Sequence, residues 1–158
     1  MECGYNHTIA VKTDGSLYSC GQNTYGQLGL NDTTHRNSFT SIGSGYLYNS
    51  YTGLPQFGGG ACHSTAIDSD NILNATGEGD YGQLGIGTGT GPYDPSDLDQ
   101  FTETDESFDD PENSASDDVQ DTWRFVVNGK YHTLALKIVS EVLVTDDLEE
   151  PVVWRMDF

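Results

Sequence analysis

Positive charge is scarce in this chain: 6 Lys and Arg residues stand against 25 Asp and Glu among 158 residues, a formal net charge of −19. A surface of that sign repels phosphate backbones and anionic headgroups, which excludes nucleic acid and membrane from the expected partners. Long apolar runs are missing too. No stretch approaches the roughly 18 residues that span a bilayer, and the N-terminus has neither a charged lead nor a hydrophobic run, which predicts a soluble chain without a signal peptide. In that setting the triplets Asn6-His7-Thr8, Asn31-Asp32-Thr33 and Asn74-Ala75-Thr76 are incidental rather than glycosylated. Cysteine is limited to Cys3, Cys20 and Cys62, an odd number that leaves at least one without an intrachain partner and fits a reducing compartment. The expected location is therefore the cytoplasm or a particle assembled inside the cell, a virion included. Catalytic signatures are lacking: there is no Gly-x-Ser-x-Gly elbow, phosphate loop or His-Glu-x-x-His helix. Asp97-x-Asp99 lacks the central Gly and terminal Glu of a calcium loop. No catalytic residue, cofactor or metal is assigned.

What the chain does have is repetition. Tyr25-Gly26-Gln27-Leu28-Gly29 returns letter for letter at Tyr81-Gly82-Gln83-Leu84-Gly85, 56 residues later. The same offset carries Gly4-x-x-His7-Thr8 onto Gly60-x-x-His63-Ser64, Ala10 onto Ala66, Asp14 onto Asp70, Leu17 onto Leu73 and Gly21 onto Gly77. A β-rich, Gly-punctuated unit of this length points to propeller blades. Within a unit, Thr8-Ile9-Ala10-Val11-Lys12-Thr13 stops at Asp14-Gly15 and resumes as Ser16-Leu17-Tyr18-Ser19-Cys20, a hairpin signal because Asp-Gly accepts positive φ. The second unit turns at Asp70-Asn71, where Asn tolerates the same backbone. A third copy starts at Gly129-x-x-His132-Thr133, with a hairpin turn placed at Ser140-Glu141.

These motifs resemble the regulator of chromosome condensation repeat family, whose units carry a Gly-x-x-His-Thr/Ser strand, an Asp-Gly hairpin and a Gly-x-Asn-x-x-Gly-Gln-Leu-Gly segment. The element Gly21-Gln22-Asn23-Thr24-Tyr25-Gly26-Gln27-Leu28-Gly29 matches throughout; the copy starting at Gly77 keeps all but the Asn. The aromatic residue usual before the first Gly is Cys20 in one unit and Thr76 in the other, which implies weaker packing there. The resemblance covers residues 4 to 43 and 58 to 87 well and 123 to 145 partly. It implies an all-β fold, a partial β-propeller-like array of about 2.5 four-stranded blades, open unless other chains or a longer reading frame complete it. Because Met1 stands three residues before Gly4, the strand that would precede that motif is expected to be missing.

The divisions that follow are a first blade with a Tyr-rich connection (1–57), a second blade (58–93), an acidic insertion (94–121), a partial third repeat (122–145) and a non-repeat tail (146–158). The insertion holds 12 carboxylates and no base, so it is read as a disordered loop between blades and as a lure for a Lys/Arg-rich partner.

Residues read as repeat-structural are Gly4, His7, Gly21, Gly26, Leu28, Gly60, His63, Gly77, Gly82, Leu84, Gly129 and His132. Zinc ligands must sit about 2.0–2.3 Å from one ion, whereas each His belongs to a different blade, so the three are expected to be buried and to bridge backbone groups. Gly58-Gly59-Gly60 is read as a bend, and Leu28 and Leu84 as plugs between blades. Tyr25 and Tyr81, with Tyr46, Tyr48 and Tyr51 of the connection, are the candidate protein contacts. Exposed His35 falls outside the pattern. The expected role is a non-catalytic propeller-repeat scaffold or interaction module in a larger assembly, whose partners are other protein subunits, including copies of itself. The alternative implied by the resemblance is an adaptor or guanine-nucleotide-exchange module.

Overall fold

A computed structural model of the chain describes residues 1–48, 56–86, 97–104 and 122–138. Tyr51, most of the acidic insertion, the Ser140-Glu141 turn and the tail lie outside the described residues. Among the described residues, ten strands form three antiparallel sheets. The first contains β1 (Glu2–Cys3), β2 (His7–Val11), β3 (Leu17–Gly21) and β4 (Arg36–Gly43) in that order; the second contains β5 (Phe57–Gly59), β6 (His63–Ile67), β7 (Leu73–Gly77) and β8 (Leu98–Glu103). The third pairs β9 (Thr122–Asn128) with β10 (Thr133–Ile138). Each sheet is one blade or its inner half, and the whole is a partial propeller.

Both complete hairpins are set by backbone geometry. Lys12 N–H donates to Ser16 O (2.8 Å) and Gly15 N–H to Lys12 O (3.0 Å), with Gly15 at φ +80°. Asp68, Ile72 and Asn71 repeat the pattern, with Asn71 at φ +64° and Asn71 N–H on Asp68 O at 3.0 Å. This is a three-residue loop ending in one left-handed residue rather than a two-residue turn with two. The loop length fixes the register as Val11↔Leu17 and Ile67↔Leu73, which keeps Leu17 and Leu73 facing the core.

The core lies between blades. Ile9, Leu17 and Ala66 are buried together, with Val11, Ile42, Tyr46, Phe57 and Phe101 packed on them. One blade further on, Ile67, Leu73, Trp123 and Val126 do the same with Leu47 and Ala135. Strand alternation explains the arrangement: His7 and Ile9 point toward the following blade, Thr8 and Ala10 away from it. Full burial of Ile9 is worth about 2 kcal/mol.

Several sequence expectations need correction. The acidic insertion does not begin at residue 94, because Leu98–Glu103 is β8, the outer strand of the second blade, paired Ala75↔Thr102 with β7. Its acidic letters hid a strand whose Phe101 packs inward while Gln100 and Glu103 face solvent. A short strand, β1, does precede Gly4 and pairs Cys3↔Thr8. Gly58 and Gly59 are strand residues of β5, not a bend. A Cβ on Gly59 would stand 2.6 Å from Gly4 N, so the inner strands approach too closely for side chains. At Thr76 a hydrogen-bonding group stands in place of the aromatic: the buried hydroxyl lies 2.9 Å from Gly26 O and 2.7 Å from Leu98 O.

Candidate protein-interaction surface

The Gly-x-x-His element closes a tight turn. Gly4 N–H donates to His7 O at 2.9 Å, and Gly60 to His63 O and Gly129 to His132 O at 2.8 Å each. In all three copies a Cβ on the glycine would run into the imidazole of the histidine, so ring and glycine stack without space for a side chain. The imidazole then reaches the next blade. His7 Nε2 lies 2.8 Å from Ser64 Oγ, which donates to Gln27 O at 2.8 Å. His63 Nε2 lies 3.2 Å from Thr133 Oγ1, which donates to Gln83 O at 2.8 Å. A hydroxyl has one hydrogen; since it goes to the glutamine carbonyl, the hydroxyl accepts from Nε2–H, which fixes the histidine tautomer.

The expected backbone bridge is thus replaced by a relay of His, hydroxyl and carbonyl between blades. It leaves Nδ1 of His7 and His63 buried without a partner, and burial pushes both histidines down to about 4. The third copy departs from this: His132 is exposed, because among the described residues no following blade covers it.

Tyr-Gly-Gln-Leu-Gly is the turn that receives the relay. Gly26 and Gly29 have φ +79° and +66°, Gly82 and Gly85 +75° and +62°. The Gln side chain caps the turn, with Tyr25 N–H on Gln27 Oε1 at 2.9 Å and Tyr81 N–H on Gln83 Oε1 at 2.8 Å. Leu28 and Leu84 are buried. Gly21 and Gly77 also hold positive φ, where a Cβ would strike the carbonyls of Asn6 and Cys62. Asn23, present only in the first copy, accepts from Leu28 N–H (2.8 Å) and donates to Asp32 O (2.6 Å). His35, exposed as expected, accepts from Asn23 N–H through Nδ1 at 2.9 Å.

These turns and the Gly-x-x-His loops share one end of the sheets, since Gln22 N–H donates to Asn6 O (2.8 Å) and Glu78 N–H to Cys62 O (2.9 Å). That end carries exposed aromatics: Tyr5, Tyr81 at 60% exposure and Tyr131, with the rings of Tyr81 and Tyr131 4.9 Å apart. Lys130 Nζ sits 4.6 Å from the Tyr131 ring centroid. Beside them lie carboxylates: partial burial, then the charges of Asp80 and Asp97, pushes Glu78 up, and Asp97 is raised by partial burial and Asp80 against a hydrogen bond from Gly79. The Glu78 charge is the largest cause raising the Tyr25 phenol, and burial followed by Glu78 raises the Cys62 thiol.

Of the expected contacts, Tyr25 and Tyr81 belong to this end. Tyr46 does not: its ring packs 5.8 Å from Phe101 inside the inter-blade core, and its N–H donates to Gly15 O at 3.1 Å. Tyr48 is exposed elsewhere. Tyr5 and Tyr131 were missed because they occupy different repeat positions and so give no periodic signal.

The family model described as regulator of chromosome condensation (RCC1) repeat matches residues 1–27. The human X-linked retinitis pigmentosa GTPase regulator is 37% identical over 84 residues, covering 53% of this chain and 8% of that protein. The Xenopus laevis regulator of chromosome condensation is 33% identical over 85 residues, covering 54% of this chain and 20% of that protein. Among solved structures, Prp20p from Saccharomyces cerevisiae, reported with its binding properties to Gsp1p and histones, superposes with a TM-score of 0.57 at 19% identity over 87% of this chain and 30% of its own. The chain spans at most a fifth of the length of these two relatives.

Proposed function

We propose that this chain, which is built from repeats of the regulator of chromosome condensation family, is a non-catalytic protein-interaction segment whose loop end docks a partner bearing Lys or Arg. The observation that carries this reading is the gathering at one end of the sheets of exposed Tyr81 and Tyr131 with Glu78, Asp80 and Asp97, where partial burial and then the Asp80 charge raise both Glu78 and Asp97. A cation placed among them relieves that repulsion, and tyrosine faces accept it by cation–π contact, as Lys130 already does on Tyr131. Exposed tyrosine is also a favoured interface anchor.

The alternative role in GTPase regulation, suggested by the name of one relative, has weaker support. The letters shared across the repeats are the glycines and histidines that build the inter-blade relay, and shared architecture does not transfer activity. The test is titration of the chain with a Lys/Arg-rich peptide at two salt concentrations. Binding that weakens with salt, and at least tenfold with Tyr81→Ala or with Glu78→Gln plus Asp97→Asn, supports the reading. Binding indifferent to all of these overturns it.

A further inference from the structure

We infer that Lys130 occupies in cis the cation site that the loop end offers a partner, so that a partner's Lys or Arg enters by displacing it. This rests on the loop-end reading and adds how that site is regulated. The contacts that carry it lie within the Gly-x-x-His loops and the repeated turn.

Three exposed tyrosines, Tyr5, Tyr81 and Tyr131, act on one ammonium. Lys130 Nζ lies 4.6 Å from the Tyr131 ring centroid, and the Tyr81 ring lies 4.9 Å from that of Tyr131. Tyr131, first by hydrogen bond and then by charge, holds Lys130 above the usual lysine range, and Tyr5 and Tyr81 add to the effect. The same ammonium reaches the acidic side of the surface: the Cys62 thiol, pushed up by burial and then by Glu78 and Asp97, is drawn back by Lys130. Aromatic faces and carboxylates thus share one internal cation.

The repeat itself does not require a lysine at this position, since the residue after the glycine is Tyr5 in the first unit and Ala61 in the second. The backbone beneath the ammonium is fixed, because Lys130 O accepts from Ala61 N–H at 3.2 Å, while the side chain is exposed. A flexible four-carbon stem on a fixed Cα lets the charged head leave the ring for water without moving a strand. A partner's guanidinium or ammonium seeks the same face of Tyr131, and two like charges cannot share it. Displacing Lys130 therefore costs the partner an exposed cation–π contact, worth about two- to fivefold in affinity.

The test titrates the full chain with a tetra-arginine peptide. Lys12→Gln serves as the control: Lys12 Nζ lies 4.4 Å from the Tyr18 ring centroid beside the hairpin turn of the first blade, so its loss changes the net charge equally at the opposite end of the sheet. Lys130→Gln should bind the peptide about two- to fivefold more tightly than Lys12→Gln does. Lys130→Arg keeps a cation on the ring and should bind no tighter than the parent. In proton NMR of the free chain, the Lys130 ε-methylene should lie upfield under the Tyr131 ring current and return to its ordinary position at saturating peptide. A Lys130→Gln variant that binds no tighter than Lys12→Gln, or methylene protons that keep their shift in the complex, overturns the proposal while the loop-end reading stands. A peptide that binds none of these proteins overturns both.

Discussion

His7 and Ser64, 57 residues apart, meet at 2.8 Å, and the serine passes its own hydrogen to Gln27 O. One hydroxyl thereby satisfies a buried donor and a buried acceptor contributed by the neighbouring blade. Ser64→Ala should cost roughly 2–3 kcal/mol, because it strands both the His7 Nε2–H and the Gln27 carbonyl. Ser64→Thr should stay near the parent, since Thr133 performs the same task one blade on. Urea unfolding of the three proteins distinguishes these outcomes.

The buried histidines also fix a pH dependence. Both have folded-state values of about 4 against an ordinary 6.5. Between those values the unfolded chain binds more protons than the folded one, so stability must fall on acidification from pH 6.5 toward 4. Each histidine contributes up to about 3 kcal/mol to that loss. Glu78 and Asp97 act in the opposite sense, since their raised values let the folded state take up protons first. His7→Gln should flatten the slope of melting temperature against pH across this window while lowering stability at pH 7. An unchanged slope would show that His7 is already solvated.

Blade periodicity was legible because it is carried by residues that tolerate few substitutes. Gly4 lies against an imidazole, Gly21 against a carbonyl, and Gly15 and Asn71 hold a left-handed turn, so each leaves a letter at a fixed offset. The strand β8 was not legible: its pairing with β7 demands backbone groups and one inward Phe101, which leaves Asp99 and Glu103 free to make it look like a solvated loop. The fate of His132 was equally hidden, since burial depends on a neighbour that its own motif does not encode. The loop-end surface was half legible, through Tyr25 and Tyr81 but not Tyr5 or Tyr131.

The two copies of the Tyr-Gly-Gln-Leu-Gly turn make a controlled comparison. Gly26 and Gly82 share positive φ, but a Cβ on Gly26 would stand 2.9 Å from Asp99 N and closer still to Leu98 O, whereas Gly82 has nothing within 4 Å. Asn tolerates left-handed backbone. Gly82→Asn should therefore cost under about 1 kcal/mol, while Gly26→Asn should lose several times more by pushing β8 away from the first blade. Val should damage both, since a β-branched residue resists positive φ. Equal midpoints for the two Asn variants would show that the β8 contact does not constrain Gly26.

The position of β8 decides how much of the acidic stretch the fold can lose. Deleting residues 94–121 removes the outer strand of the second blade, including Phe101, which covers Gly29 and Tyr46, and Leu98 O, which Thr76 reaches. It also removes the bond from Asn31 N–H to Asp99 O at 2.7 Å, through which this strand holds the loop after the first blade's repeated turn. Phe101 is only partly buried, so its loss costs less than the roughly 3–5 kcal/mol of a fully buried Phe, but together with the lost strand pairing and hydrogen bonds it is a large part of the total for a marginal domain. The full deletion should therefore abolish cooperative unfolding. A shorter deletion that begins after Thr104 and ends before Thr122 spares every contact named here, and should keep the melting temperature within a few degrees of the parent. Thermal melts of the two deletions settle the matter, and a full deletion that melts like the parent would mean that β8 adds nothing to the second blade.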